Sequence, residues 1–367
     1  MKFNIQILKH SIPYHIMSQK YASLQTLRFI AAFAVLITHS TFYTSERYIN
    51  IPLYDNGVNG VGLFFTISGF VMIISSQKLI GMPGGWKTFL KKRLIRIVPI
   101  YFLFNILKVV VMFASNGLVK HTVLDIPYII KSFFFLPALN ADGKFFPLYG
   151  VGWTLNFEMF YYLLFTIALA SKKNPIIFTS FFFIPLAILS FYTNKTWPDV
   201  RFYCNILVLN FIYGMLAAWL ITGKKTIVVP VALLMVVAGL CFLFIPALNS
   251  QPKSIVGLAT FILIYGAASA DKQISRYLPS FVIFLGGASY SLYLIHPTIA
   301  PIIPTLFNKL HISTPMLSVA GCIVAAIVSA CIFYKLVELP LTAVLSKRFD
   351  KRQKQKVNKE LFELKAS

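Results

Sequence analysis

The stretch ASLQTLRFIAAFAVLITHSTFY, residues 22–43, is the first of a series of long apolar runs that decide the fold. About 20 consecutive apolar residues form a helix long enough to cross roughly 30 Å of hydrocarbon. In lipid every backbone polar group must find its partner within the chain, so runs of this length fold as helices. Because similar runs recur along most of the 367 residues, the sequence predicts an all-α, polytopic membrane protein.

Composition excludes an ordinary soluble domain. Hydrophobic residues make up 57% of the chain and charged residues 12%, whereas about 25% of the residues in a typical soluble domain are charged. We predict a bundle of about ten transmembrane helices, at residues 22–43, 59–77, 97–115, 147–170, 175–192, 202–222, 227–247, 254–270, 281–302 and 315–339. Residues 1–345 are interpreted as one transmembrane domain, and residues 346–367 as a basic tail that is predicted to be disordered.

The net charge of +23 follows a membrane topology. With a cytoplasmic N-terminus, most of the 34 Lys and Arg residues fall in cytoplasmic segments, and this asymmetry places both termini in the cytoplasm. The basic tail then lies against anionic membrane lipid. No aromatic-rich basic module accompanies it, so we expect no nucleic-acid partner. The four cysteines have spacings that fit no metal site, and none is predicted.

The informative residues are the ionisable side chains that fall inside the predicted spans. Each costs about 2.5–3.5 kcal/mol at a helix centre on insertion scales, so each needs a partner or a purpose. They are Arg28, His39, Lys108, Glu158, His296, Lys335 and Glu338.

Arg28 and His39 lie in the same first span. Eleven residues make three helical turns, so both project from one face about 16 Å apart. With the N-terminus inside, Arg28 lies toward the cytoplasm and His39 toward the outer half, as a donor-to-acceptor channel across the bilayer requires. Alternatively, Arg28 snorkels to the inner headgroups and His39 caps the outer interface.

Glu158, in GWTLNFEMFYYLLF, falls in the outer half of the fourth predicted span. Its carboxyl group is either neutral, paired with a cation such as Arg28, or hydrogen-bonded to an imidazole. The last arrangement would hold His39 in the tautomer that accepts a proton. The alternative is a buried tie between helices.

Three further positions allow both a functional and a structural interpretation. Arg93 and Arg96, one turn apart, can grip a phosphate group or serve as a positive-inside anchor. Ser68, in a glycine-rich stretch, lines a pore or belongs to a close helix contact. His296, before Pro297, takes part in catalysis or marks an interfacial kink.

In this order the motifs resemble the acyltransferase-3 family of membrane acyltransferases. The resemblance runs from Leu24 to about Pro340 and rests on six features. They are Arg28 followed after ten residues by His39, the GVGLFFTISGF stretch that ends at Phe70, RxxRIxPxY at 93–101, GWTLNFExFYYLL at 152–164, LGxASYSLYLxHP at 285–297, and the late Glu338–Pro340 pair. The GWTLNFE wording is most similar to the exopolysaccharide O-acetyltransferase branch. Many members have Asp where this chain has Gly62, so any carboxylate role there is absent or moved.

The resemblance implies an enzyme of the inner (plasma) membrane that moves an acyl group, by default acetyl, from acyl-CoA to a saccharide hydroxyl. His39 would be the general base, Arg28 would line the same pore, and Glu158 would orient His39 or the acceptor. Arg93 and Arg96 would face the cytoplasm and hold the phosphates of acyl-CoA, a donor substrate and not a resident cofactor. The acceptor could be lipid-linked.

Two other function classes compete with this interpretation. A transporter or flippase for a saccharide or lipid-linked intermediate would use the same pore without covalent chemistry. A non-catalytic scaffold in a polysaccharide assembly complex would not need His39 for acylation.

Overall fold

The computed structural model describes residues 21–114, 125–194, 196–245 and 253–351. Within these ranges the chain is helical, apart from turns and an isolated antiparallel bridge between Leu139 and Phe145, which confirms the all-α prediction there. The α-helices are α1 (Ala22–Arg47), α2 (Asn59–Ser76), α3 (Gly85–Ala114), α4 (Ile126–Phe133), α5 (Trp153–Ala170), α6 (Pro175–Leu189), α7 (Leu209–Thr222), α8 (Val229–Phe244), α9 (Lys253–Ser269), α10 (Asp271–Tyr277), α11 (Ser280–Gly287), α12 (Ser289–Ile299), α13 (Ile302–Lys309) and α14 (Pro315–Phe333).

The apolar helices fall into three classes. In the described part of the chain, 5 are long and apolar enough to cross a membrane, namely α1, α3, α14, and α2 and α5 with the short turns that precede them. Two further candidates are bent, by 77° between α9 and α10 and by 66° between α11 and the segment that begins with α12. Three more, α6 to α8, are shorter. Nine of the ten predicted spans thus contain one α-helix each, and residues 281–302 are divided mainly between α11 and α12. The count of ten crossings and the cytoplasmic position of both termini stay predictions.

Helix α1 is the central element of the bundle. It packs against α2 on one side and against α11, α12 and α14 on others. Its small residues Ala31 and Ala32 are fully or almost fully buried. Small side chains let neighbouring backbones approach closely. Helix α1 is therefore surrounded by other helices, and several of its polar residues lie in the interior of the bundle.

Glycines bring α2 and α7 into contact. A Cβ atom added to Gly69 would lie 2.2 Å from the carbonyl oxygen of Phe211, and one added to Gly214 would lie 1.9 Å from that of Thr66. No side chain fits at either position without moving a backbone. The glycine-rich stretch therefore serves close helix packing, as one of the two interpretations predicted.

The segment between the third and fourth predicted spans enters the bundle in part. Phe135 is 6% exposed and its ring stacks on Tyr101 with centroids 4.7 Å apart, whereas the neighbouring Phe134 is 71% exposed. Residues 115–124, at the beginning of this segment, lie outside the described residues.

Helix α14 does not stop where the membrane domain was predicted to end. It passes through a π-helix, Tyr334–Glu338, and continues to Lys351. No glycine or proline follows Pro340 in this part of the chain, so nothing breaks the helix at residue 345. The rest of the predicted tail, residues 352–367, lies outside the described residues.

Candidate active site

A central cavity lies between α1, α2, α3, α5 and α12, with a volume of about 790 Å³ when the space at its mouth is included. Its charged lining residues are Arg28, Arg93, Arg96 and Glu158. Four of the five predicted site residues are therefore brought together. The remaining lining is mainly apolar and aromatic, so charges act there with less screening than in water. Three guanidinium groups against one carboxyl group give this cavity a preference for an anion.

Glu158 is held by hydroxyl groups on two helices. The Ser68 hydroxyl on α2 donates to its Oε1 atom at 3.1 Å, and the Tyr162 hydroxyl, one turn further along α5, donates to the same atom. No hydrogen bond joins Glu158 to His39 in the described residues, because Glu158 faces the cavity at the level of Ser68. The predicted hydrogen bond between Glu158 and an imidazole is therefore not present among the described residues. Ser68 takes part in the cavity as well as in the glycine-rich helix.

Arg93 points into the bundle and not toward the lipid headgroups. Its side chain is 4% exposed, its Nη2 group donates to the Ser75 hydroxyl, and its guanidinium lies 5.5 Å from the Phe89 ring centroid. The nearby Lys87 and Lys91 on α3 are exposed instead. A surface anchor does not require such burial, so the lysines fit that role and Arg93 fits a binding role.

A second cavity of about 510 Å³, here termed the entrance cavity, lies beside the N-terminal half of α1. Its lining includes Tyr21 and Leu24, and it shares Arg28, Arg96 and two apolar residues of α2 with the central cavity. The two arginines therefore stand at the boundary of both spaces. Arg28 is oriented there by a hydrogen bond of 3.4 Å from its Nη1 group to the side-chain oxygen of Gln25.

His39 does not line the central cavity. Its ring meets that of His296 edge-on, with centroids 4.9 Å apart and planes at 63°. His296 is 1% exposed, and its Nδ1 atom lies 3.1 Å from the carbonyl oxygen of Leu292. His296 is thus more than an interfacial kink, because it forms a pair with the residue predicted to be the general base.

Tyr293 links the histidine pair to the central cavity. Its ring lines the cavity and lies 5.9 Å from the ring of His296 on the same helix. Its hydroxyl bonds the carbonyl oxygen of Val151 at 2.9 Å and the Thr154 hydroxyl at 2.9 Å. Ser289, which also lines the cavity, Tyr293 and His296 recur at positions i, i+4 and i+7, which share one helix face. This spacing is visible in SYSLYLIH and could have indicated that His296 lies on the face of Ser289 and Tyr293, but it was not used in the sequence analysis.

A second carboxyl group near Arg28 is buried. Glu338 is 8% exposed and accepts a hydrogen bond from the Ser291 hydroxyl. Arg28 interacts electrostatically with both Glu338 and Glu158. Lys108 and Lys335 do not line either cavity, and Lys335 is exposed, which is consistent with a side chain that extends toward the interface.

Gly62 stands where many members of the resembled family have Asp, and it faces a network of neutral polar side chains. A Cβ atom at Gly62 would lie 3.5 Å from the side-chain nitrogen of Asn210. The Thr260 hydroxyl donates to Asn210 at 3.0 Å and bonds the Thr66 hydroxyl at 2.7 Å. Neutral groups from α2, α7 and α9 thus satisfy one another where many members of the resembled family have Asp.

Comparisons with known proteins identify the family of this chain. The profile of the acyltransferase-3 family, described as an acyltransferase domain, matches residues 21–335. The chain is also 29% identical over 292 residues to the exopolysaccharide production protein ExoZ of Rhizobium meliloti (strain 1021), which covers 78% of this chain and 89% of that protein. No solved structure matches the chain. With apolar membrane-length helices and a family match over most of its length, the chain belongs to the acyltransferase-3 family of membrane acyltransferases.

Proposed function

We propose that this protein is a membrane-bound O-acyltransferase that moves an acyl group, by default acetyl, from acyl-CoA to a hydroxyl group of a cell-surface or exported saccharide. The observation that carries the proposal is the arrangement along α1. Arg28 lies in a cavity with two further arginines and Glu158, and His39 lies beyond it against His296. Such an arrangement suits a donor that is anionic at one end and reactive at the other.

The arginines fit the phosphate groups of the donor. Guanidinium groups bind phosphate oxygens through pairs of parallel hydrogen bonds. Arg28 and Arg96 lie at the boundary of the entrance and central cavities, so a donor held there by its phosphates could extend its narrow pantetheine arm into the central cavity. The mainly apolar lining would then exclude bulk water and limit hydrolysis of the thioester.

His39 is the proposed general base. It takes the proton from the acceptor hydroxyl as the oxygen attacks the thioester carbonyl carbon. The carbon–sulfur bond then breaks, and the coenzyme A thiolate leaves with the proton that His39 received. One ester and one free thiol result, so no further reactant is needed. A positioned general base contributes typically 10²–10⁴-fold to such a rate.

The saccharide acceptor is proposed from the comparison with ExoZ, whose name assigns it to exopolysaccharide production. The predicted topology places His39 in the outer half of the bilayer, which favours an acceptor that approaches from outside. We propose the inner (plasma) membrane as the location, because acyl-CoA is available only on its cytoplasmic side. The acceptor could be lipid-linked or polymeric.

The test uses membranes that contain either the wild-type protein or His39→Ala. They are incubated with radiolabelled acetyl-CoA and extracted glycan, and label is followed into base-labile saccharide ester. Label that depends on His39 supports the proposal. Saccharide that crosses the membrane without taking up label would instead indicate a transporter, and equal label with both proteins would remove His39 from the mechanism.

A further inference from the structure

The protonation of His296 follows from its hydrogen bond. Its Nδ1 atom lies 3.1 Å from the carbonyl oxygen of Leu292, and a carbonyl oxygen only accepts. The hydrogen of the neutral imidazole therefore sits on Nδ1, and Nε2 carries a lone pair that needs a donor. The same backbone bond fixes the ring on α12, so Nε2 cannot exchange places with Nδ1 without losing it.

The Nε2 atom of His296 has no hydrogen-bond partner among the described residues, although it is buried. A buried acceptor without a donor is unfavourable, and sites of this kind in native structures call for an explanation. Because the atom is buried, we look for its donor among the neighbouring side chains. The ring that approaches from another helix is that of His39, edge-on at 4.9 Å.

We propose that His296 is the positioning residue of His39. It accepts a hydrogen bond from one ring nitrogen of His39 and thereby leaves the other nitrogen with its lone pair toward the acceptor hydroxyl. The two rings are close enough for this bond after a small rotation of His39, which is half-buried and makes no hydrogen bond with the described residues. The inference rests on the proposed function, because it assigns a partner to the proposed general base.

The consequence for the reaction is a base oriented by a neutral group. In serine hydrolases a carboxylate accepts the second hydrogen of the catalytic imidazole and holds its tautomer. Here Glu158 is engaged with Ser68 and Tyr162, and the imidazole of His296 takes that place. When His39 receives the proton of the hydroxyl, its bond to His296 stabilises the imidazolium. The proton stays on His39 until the thiolate of coenzyme A takes it.

The test compares three substitutions of His296. Gln carries a carbonyl oxygen near the position of Nε2, Asn carries the same group on a side chain too short to reach it, and Leu fills the volume without an acceptor. We expect His296→Gln to keep kcat within about threefold of the wild type. His296→Leu and His296→Asn should lower kcat about 10- to 100-fold, less than the 10²–10⁴-fold expected for loss of the base itself, with the KM for acetyl-CoA unchanged. His311→Asn, at an exposed histidine with φ 53°, is the control.

Two results would overturn the inference. One is a wild-type kcat in folded His296→Leu, and the other is a kcat of His296→Gln no higher than that of His296→Asn. If His296→Leu does not insert or fold, judged by size-exclusion profile and thermal unfolding in detergent, the Gln–Asn comparison decides alone. Failure of the proposed function is separate, because it shows as undiminished transfer by His39→Ala.

Discussion

The two ends of the site are built from different chemistry. The central cavity holds three guanidinium groups and Glu158, whose Oε1 atom is engaged by two hydroxyl groups. The other end holds two imidazole rings with an unsatisfied nitrogen and no carboxylate bonded to either among the described residues. Helix α1 supplies one residue to each end, about 16 Å apart along its axis. The comparison indicates that substrate binding and proton transfer are separated along one helix.

The largest effect is expected at the histidine end. His39→Ala should abolish acyl transfer, a loss of about 10²–10⁴-fold, because it removes the proposed general base. Insertion and thermal unfolding should match the wild type, since a half-buried ring is replaced by a smaller apolar group. Transfer of radiolabelled acetyl groups to glycan measures the effect, with His311→Asn as the matched control. An active, folded His39→Ala enzyme would contradict the assignment of proton transfer to the histidine end.

The arginine end should respond in KM. The double substitution Arg93→Gln/Arg96→Gln removes hydrogen bonds to charged groups, each worth about 1.5–3 kcal/mol. We expect the KM for acetyl-CoA to rise about 100-fold and kcat to fall by less than about threefold, because binding of the donor weakens in ground and transition states alike. Lys87→Gln/Lys91→Gln removes two exposed charges from the same helix and should leave KM unchanged. A donor dependence that is equal in both double variants would show that the cavity does not bind the donor.

A smaller effect is expected at Glu158. Glu158→Gln keeps an oxygen for the Ser68 and Tyr162 hydroxyls but leaves the neighbouring guanidinium groups without their balancing charge. We expect kcat/KM to fall about tenfold, equivalent to about 1.4 kcal/mol. Glu46→Gln, which removes a carboxylate that lies 3.5 Å from Arg47 outside both cavities, is the control. An unchanged kcat/KM would assign Glu158 to the structural tie between helices.

The smallest effect on activity is expected from a change that touches neither end. Gly214→Ala places a Cβ atom 1.9 Å from the carbonyl oxygen of Thr66, so α2 and α7 must separate. Overpacking of this kind costs about 1–3 kcal/mol, and we expect a lower melting temperature in detergent with activity per folded molecule within about twofold. Gly150→Ala meets nothing within 4 Å and serves as the control. A stability equal to that of the control would mean that the α2–α7 contact adapts.

Sequence reasoning located the cavity residues by two different signals. Arg28 and Glu158 are charges inside predicted spans and so needed partners, whereas Arg93 and Arg96 were chosen because they lie one turn apart. The helices that carry these residues bring them to one space. The apolar runs likewise predicted where the helices lie. The 77° and 66° bends near Ala270 and Ala288 were not predicted. No proline lies at either break, but Gly286 and Gly287 directly precede the second, where they permit a bend. The first break has no such local cause, so it depends on how neighbouring helices pack.

The contact between His39 and His296 could not be obtained from the sequence. It depends on the relative height and rotation of α1 and α12, which follow from contacts distant in the chain. One such contact is the approach of Gly286 to the backbone of Gln25, where an added Cβ atom would lie 2.2 Å from the carbonyl oxygen. The hydrogen bond between Ser291 and Glu338 could not be predicted for the same reason. It joins two helices whose relative register cannot be read from the local sequence.

The π-helix at Tyr334–Glu338 has a consequence for how this chain tolerates insertions and deletions. A π turn holds one residue more than an α turn and is frequent at functional sites. Because this turn already holds one extra residue, deleting one residue there would restore an α-helix and leave the residues beyond it close to their present orientation. Deleting one residue from an ordinary α turn of the same helix would instead rotate the residues beyond it by about 100°. The segment that carries Glu338 is therefore the part of this helix that tolerates the loss of one residue with the least change in register.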